Sequence, residues 1–331
     1  MPQPAILVGP GERVEAINAR AERLLGRGAV GRHYITVLRQ PGVQDATERV
    51  LKGEAKASAR YHTTEASSDL TYRVHARAAG SGNVLVSFED ISDIESAAQV
   101  RRDFVANVSH ELRTPLTAMT GFIETLRGPA RDDPAARDRF LATMAREAAR
   151  MNRLVRDLLS LNRVESDLRL RPSKVVDVAA VLRATEATLR PMAEQAEATI
   201  ILSGVDSPIE VVGDADQLQQ VFVNLAENAL KYGGRNVRLS AGEVEHQPLL
   251  RQQGVRIEVV DDGIGIDPIH LPRLTERFYR VDTHRSREMG GTGLGLAICK
   301  HIVNRHRGRM RIESATGKGT RVTVVLPQAL S

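Results

Sequence analysis

Apolar residues change their spacing twice along this 331-residue chain, and each change marks a different kind of structure. Up to about Asp93 the pattern is mainly one of short strands. Ile6-Leu7-Val8 is an apolar triplet, Gly11-Glu12 supplies a turn, and Val14 to Asn18 reads as a second strand. Ala21 to Leu25 reads as a short helix that Gly26 stops, because glycine takes the left-handed backbone of a helix end without steric cost. Tyr72 to Arg77 and Val84 to Phe88 alternate with a period of two, the spacing of half-buried strands. Strands broken by small helices predict a compact α+β module over residues 1–93.

From residue 94 to 167 the period lengthens to that of helices. Val105, Val108, Leu112, Pro115, Met119, Phe122 and Leu126 recur at alternating steps of three and four, and Leu141, Met144, Ala148, Met151, Val155, Leu158 and Asn162 repeat the spacing. Gly128-Pro129 and the charged run Arg131 to Pro134 separate the two stripes, with Pro134 suited to a first helical turn. A hairpin of two such helices cannot exclude water from its seam, so the pattern predicts a homodimer closing as a four-helix bundle. After Pro172-Ser173 the pattern becomes mixed. Val255 to Val260 and Arg321 to Leu326 read as strands, and Ala215 to Lys231 and Leu294 to Arg305 as helices, in a third segment spanning 172–327.

Composition narrows the class. Trp is absent and aromatic residues make up 3%, so the cores rest on aliphatic side chains. The one cysteine, Cys299, excludes an internal disulfide or a cysteine-cluster metal site, and packing suits it better than reactivity. No stretch approaches the roughly 18 apolar residues of a membrane span, and Met1 to Pro10 lack the pattern of a signal peptide. The expectation is a cytoplasmic chain without a membrane-spanning segment. The net charge of +5 is dispersed among alternating acids, which describes a solvated surface and leaves no expectation of nucleic-acid binding.

Candidate chemistry begins in the first long helix. His110 lies two positions from both Val108 and Leu112, about 200° around the helix from each, so it points to solvent while the stripe turns inward. An exposed imidazole is a competent nucleophile, and Glu111 beside it can accept or orient its proton. Thr114 follows one turn later on the same face and can position a water. Pro115 removes the hydrogen bond to the Glu111 carbonyl and should bend the helix there. A lone His-Glu pair on a dimerisation helix is nevertheless usually a surface feature.

Farther on, Asn224, Asn228 and Lys231 line one face of a predicted helix. Amide oxygens suit a hard cation such as Mg²⁺, and an ammonium suits phosphate oxygens. Asp261-Asp262-Gly263-Ile264-Gly265 follows an apolar strand, where glycine admits a ligand close to the backbone and a carboxylate can accept from an amino group. Gly290-Gly291-Thr292-Gly293-Leu294-Gly295 opens a helix, and free amides at such an end form a phosphate cradle. Taken singly, these are a solvated stripe, a turn and a weak glycine motif. His284, His301 and His306 have no metal-ligand partners at credible spacing and read as surface or lid residues.

Together the motifs resemble those of a family. Phe104 to Thr117, with His110-Glu111-Leu112-Arg113-Thr114-Pro115 at its centre, is similar to the H-box of sensor histidine kinases. Asp214 to Pro327 resembles the GHKL ATPases, with Asn224 to Tyr232, Asp261 to Ile266, Arg277 to Asp282 and Gly290 to Leu296 standing as the N, G1, F and G2 boxes. Val14 to Gly26 and Asp90-Ile91-Ser92 look like the opening and exit of a PAS domain. The whole resembles most the phosphate-regulon branch of sensor kinases. The sequence departs from the family's pattern at Asp262, where Asn is common, and at Arg307-Gly308, where a glycine pair is common.

The resemblance implies a PAS-like sensor module, a dimerisation and phosphotransfer hairpin and a C-terminal GHKL α/β sandwich. It implies that His110 accepts phosphate from ATP, that Glu111 is its acid-base neighbour, and that Thr114 assists hydrolysis of the phosphoaspartate on a response-regulator receiver domain. Carried over, Asn228 holds Mg²⁺ with Asn224 nearby, Lys231 contacts phosphate and Tyr232 flanks the base. Asp261 reads the adenine amino group in a pocket shaped by Gly263 and Gly265. Gly291, Thr292, Gly293, Leu294 and Gly295 close over the phosphates, under a mobile lid drawn from residues 268–289. Two rivals stay open on the residues alone: another GHKL ATPase, and a scaffold that binds nucleotide without phosphorylating itself. In the first segment there is no cysteine for a flavin adduct and no aromatic cluster to enclose a cofactor, while haem ligation by His33, His62 or His75 stays open.

Overall fold

A computed structural model describes residues 3–65, 68–166, 172–247, 252–282 and 291–329. The chain forms two compact units, Met1–Val108 and Ser109–Ser331.

In the first unit the predicted strands appear as β1 (Ala5–Val8), β2 (Val14–Ile17), β4 (Ser68–Ala78) and β5 (Val84–Asp90), joined by β3 (Lys56–Glu65). They form an antiparallel sheet in the order β2-β1-β5-β4-β3. The short helix is α1 (Ala19–Leu25), capped by the Asn18 side chain and ended by Gly26 at φ 94°. Two further helices, α2 (Tyr34–Val37) and α3 (Pro41–Leu51), complete the module. Helix α3 buries Val43, Ala46 and Val50, spaced three and four apart, against the fully buried Val74, Val86 and Phe88. Burying a side chain of this size contributes about 1.5–3 kcal/mol.

Three aromatic rings also meet in this module, as part of its packed core. Tyr61 stands opposite Tyr72 across β3 and β4, and Phe88 lies edge-on to Tyr61 at 5.5 Å between ring centroids. Only strand register joins these rings, which are far apart in sequence. His33, His62 and His75 each have a polar neighbour, respectively Glu12 at 2.9 Å, Thr71 at 3.1 Å and Glu89 at 3.4 Å.

Helix α4 (Ser92–Arg127) starts directly after β5 and stays helical through the buried Pro115. Helix α5 (Pro134–Ser166) begins on the proline, with the Asp133 carboxylate accepting from the Ala136 amide at 3.0 Å. Phe122 of α4 stacks on Phe140 of α5 at 5.2 Å. The apolar stripes divide between two fates. On the predicted stripes Pro115 is buried, whereas Val105, Leu141 and Val155 stay exposed in a single chain, as does Leu116 beside them; the residues buried on α5, Leu154, Leu161 and Val164, lie off the predicted stripe.

The rest of the second unit begins with a two-stranded ribbon of β6 (Lys174–Asp177) and β8 (Glu210–Gly213). Around it come α6 (Val178–Gln195), β7 (Thr199–Ser203), α7 (Ala215–Tyr232), β9 (Asn236–Gln247), β10 (Gln252–Asp261), α8 (Gly295–Arg305), β11 (Arg309–Ser314) and β12 (Thr320–Pro327). The larger sheet runs β11-β12-β10-β9-β7, with β7 and β9 parallel and the other pairs antiparallel. Helices α6, α7 and α8 pack on it, and α5 packs on α8. Buried Leu218, Phe222 and Leu225 fix the inner face of α7, which turns Asn224, Asn228 and Lys231 away from the core. Cys299 is fully buried, its thiol pushed up to about 12 by burial, as a packing role requires.

His306 also departs from expectation. It is 4% exposed, not a surface residue. Its Nδ1–H donates to the Ile302 carbonyl at 2.8 Å, and its Nε2 accepts from the Asp214 amide at 2.9 Å, so it sits as one neutral tautomer beneath the start of α7. Burial lowers its pKa. A base depressed in the folded state binds fewer protons there than when unfolded, so stability is lost as pH falls below the unfolded value of about 6.5. The thermal midpoint should therefore drop between pH 7 and 5.5, and drop less in His306→Gln. Parallel curves for the two proteins would contradict this.

Candidate functional site

Helix α7, the end of β10 and the start of α8 enclose a cavity of about 380 Å³. Asn224, Asn228, Lys231 and Tyr232 reach it from α7, and Asp261 and Gly265 from the turn after β10. Gly291, Thr292, Gly293 and Gly295 form its third side. Gly263 and Leu294 stand behind this wall. A Cβ on Gly263 would meet the Gly233 Cα at 2.4 Å, and Leu294 is fully buried under the first turn of α8.

The turn carrying Asp261 is built around its carboxylate. Oδ1 accepts from the amides of Gly263 at 2.9 Å and Thr320 at 3.2 Å. Burial raises the Asp261 pKa against these two bonds. Asp262 faces outward and serves the fold, accepting from the Asn236 backbone at 3.0 Å and side chain at 2.7 Å; these bonds lower its pKa. Gly265 sits at φ 67° with the Ala315 carbonyl where a Cβ would lie, so no other residue fits.

Across the cavity, the Phe278 amide donates to the Gly293 carbonyl at 2.8 Å, joining two motifs that the sequence separates. Both residues have positive φ, 64° and 74°. A Cβ on Gly293 would press on the Phe278 backbone at 2.9 Å. Of the expected lid, residues 268–273 form a 3₁₀ turn capped by Asp267, and Arg273 lies 4.2 Å from the Tyr279 ring centroid. Residues 283–290, including His284, Met289 and Gly290, lie outside the described residues. His301 is half-buried, 3.5 Å from Glu165.

The residues of the α4 motif stand apart from the cavity wall. His110 is exposed, as its position opposite the stripe predicts. The Thr114 hydroxyl donates to the His110 carbonyl at 3.2 Å. Glu111 is a different case from a free neighbour of His110: its side chain is only 14% exposed, and its Oε2 accepts from Arg150 of α5 at 2.6 Å and from Arg280 at 3.1 Å. Arg280, 6% exposed, also lines the cavity.

Three more contacts, and one more lining residue, tie α5 to this region. Arg277 pairs with Glu165, Ser160 exchanges hydrogen bonds with Gln220, Thr292 Oγ1 donates to Asp157 at 2.6 Å, and Arg153 joins Asp157 on the cavity wall. None of these α5 residues was marked by sequence. On a helix full of arginine and acid, charged positions read as solvated surface, and only their partners distinguish them.

Two family descriptions match the chain. Residues 100–167 match the His Kinase A (phospho-acceptor) domain, and residues 213–330 the histidine kinase-, DNA gyrase B- and HSP90-like ATPase. The phosphate regulon sensor protein PhoR of Pseudomonas aeruginosa is 40% identical over 254 residues, covering 77% of this chain and 56% of its own. Sensor protein kinase WalK of Staphylococcus aureus is 38% identical over 238 residues, covering 72% of this chain and 56% of its own. The chain thus spans about half the length of these relatives. In fold it resembles the histidine kinase ThkA, solved in complex with the response regulator protein TrrA, with a TM-score of 0.55 at 18% identity over 99% of this chain and 96% of that one.

Burial raises the Asp157 pKa, partly opposed by the Thr292 hydrogen bond. An acid raised in the folded state weakens the fold above its unfolded pKa of about 3.9, where the unfolded chain ionises first. Asp157→Asn keeps an oxygen for Thr292 and should raise the thermal midpoint at pH 7, an advantage that fades as pH approaches 4. A lower midpoint than wild type at pH 7 would show that the charge itself is needed.

Proposed function

We propose that this chain, which belongs to the sensor histidine kinases, transfers the γ-phosphoryl group of Mg-ATP to His110 and from there to an aspartate of a response-regulator receiver domain. One observation carries the reading: Arg280 lines the cavity and also holds Glu111, the neighbour of exposed His110, so one side chain joins pocket and nucleophile.

The cavity wall suits the nucleotide from end to end. The half-buried Asp261 carboxylate accepts from the adenine amino group, and Tyr232 flanks the base. Lys231, now paired with Glu227 at 2.6 Å, offers an ammonium to phosphate oxygens, and the backbone from Gly291 to Gly295 comes close enough to cradle them. Asn228, with Asn224 one turn away, offers an amide oxygen of the kind Mg²⁺ takes when phosphates and waters complete its shell. When bound, the metal neutralises charge that builds on the phosphates during transfer.

In the transfer step a ring nitrogen of His110 forms a bond to phosphorus as the bond to the ADP oxygen breaks. The imidazole proton passes to the Glu111 carboxylate, and ADP leaves. For this Glu111 must be released from at least one of its two guanidinium partners. Polyphosphate competes with the carboxylate for Arg280, so filling the cavity frees the base. A receiver aspartate then attacks the phosphohistidine, and Thr114, one turn from His110, positions water for the reverse loss of phosphate from that aspartate.

Uncovered Val105, Leu116, Leu141 and Val155 support closure of the hairpin by a second copy into a four-helix bundle. The antiparallel sheet and flanking helices of residues 1–93 support a PAS-like sensor module, ahead of a phosphotransfer hairpin at 94–167 and an ATP-binding domain at 172–327. Similarity to PhoR supports a place in phosphate-regulated signalling. Use of ATP puts the reaction in the cytoplasm, and no helix among the described residues is long and apolar enough to cross a membrane.

Incubating the protein with Mg-ATP labelled at the γ-phosphate tests the reading. Wild type should acquire label that survives base and is lost in acid, and His110→Gln should acquire none. Equal labelling of both proteins, or ATP binding without label, would refute it.

A further inference from the structure

Helix α5 turns two side chains one turn apart, Arg153 and Asp157, toward the cavity. Asp157 is committed to the Thr292 hydroxyl at 2.6 Å. Arg153 is not. Its Nε is buried without a hydrogen-bond partner among the described residues. The other two cations on the cavity wall are held by carboxylates, Lys231 by Glu227 and Arg280 by Glu111. Among the described residues Arg153 has no such counter-ion, although it stands in a wall that also carries Asp157, Asp261 and Glu227. A half-buried guanidinium whose Nε lacks a partner beside a cavity is suited to a multiply charged oxyanion, which it can grip through two parallel N–H bonds.

We propose that Arg153 is a phosphate-binding residue which the phosphotransfer hairpin lends to the nucleotide pocket, and that its ligand is the terminal phosphate. The order of groups along the wall fixes the end of the nucleotide involved. Asp261 marks the base, Thr292 and Gly293 the phosphates, Asp157 is bonded to Thr292, and Arg153 lies one helical turn before Asp157. One further turn back, Arg150 holds Glu111 beside His110. Along α5, Arg153 thus lies between the residue bonded to the pocket and the residue that holds Glu111, beside the end of the nucleotide from which the phosphoryl group is transferred. Positioning from the second helix of the acceptor's hairpin favours the triphosphate over the diphosphate once hairpin and pocket are together. This assignment rests on the nucleotide reading of the cavity.

Calorimetric titration of ATP and of ADP, each with Mg²⁺, into the full chain and its variants tests the proposal. Arg153→Ala should weaken ATP about tenfold, the effect of losing one charge-assisted contact, and change ADP by less than about twofold. Arg153→Lys should recover part of the loss, and Arg156→Ala, at an exposed position on the same helix, should match wild type. If Arg153→Ala unfolds, Arg153→Gln carries the same expectation. Unchanged ATP affinity, or an equal loss of ATP and ADP at an unchanged thermal midpoint, would overturn the proposal while leaving the nucleotide reading intact. A wild-type chain that binds neither nucleotide would overturn both.

Discussion

The carboxylate of Glu111 is the point on which the second unit turns. It is nearly buried, and two guanidiniums from different parts of the chain, Arg150 and Arg280, converge on the same oxygen. Removing one partner of such a buried pair typically costs about 3–5 kcal/mol, because the remaining charge is stranded. The residue adjacent to His110 is therefore anchored outside the hairpin as well as within it. Its position depends on Arg280, and Arg280 belongs to the cavity.

The cavity is held open largely by backbone. At Gly265 and Gly293 a carbonyl or peptide group stands where a side chain would be, and the Phe278–Gly293 hydrogen bond clamps the segment carrying Arg280 to the start of α8. Beneath it, neutral His306 ties the start of α7 to the end of α8, the two helices that carry the polar wall. Rigid support of this kind keeps the backbone donors of the wall in place, while the charged groups Lys231 and Arg280 are held by carboxylates.

The sequence made much of this legible, and for physical reasons. Helical and strand periods revealed the hairpin, α7, β10 and β12, because each carries an apolar face, although that of the hairpin stays largely uncovered in a single chain. The glycine clusters and the α7 polar stripe pointed to the cavity, because close backbone approach and a four-three spacing leave a mark on single segments. What escaped was whatever depends on distant segments meeting. Arg153 and Asp157 look like ordinary surface charges on α5 until the cavity lies beside them. His306 looks exposed until the Asp214 amide reaches it. Tyr61, Tyr72 and Phe88 become a cluster only through strand register. Glu111 stands out in the sequence beside His110, but its two arginine partners lie 39 and 169 positions away.

Competition between Glu111 and the nucleotide phosphates for Arg280 is read out by ATP affinity in a double-mutant cycle. Wild type, Glu111→Gln, Arg280→Gln and the double variant would be titrated with Mg-ATP under one buffer. The account predicts that Glu111→Gln binds ATP more tightly than wild type, because Arg280 is released, and that the same substitution has no effect once Arg280 is Gln. ATP affinity unchanged or weakened by Glu111→Gln would contradict it, and would mean that the ion pair and the pocket act independently.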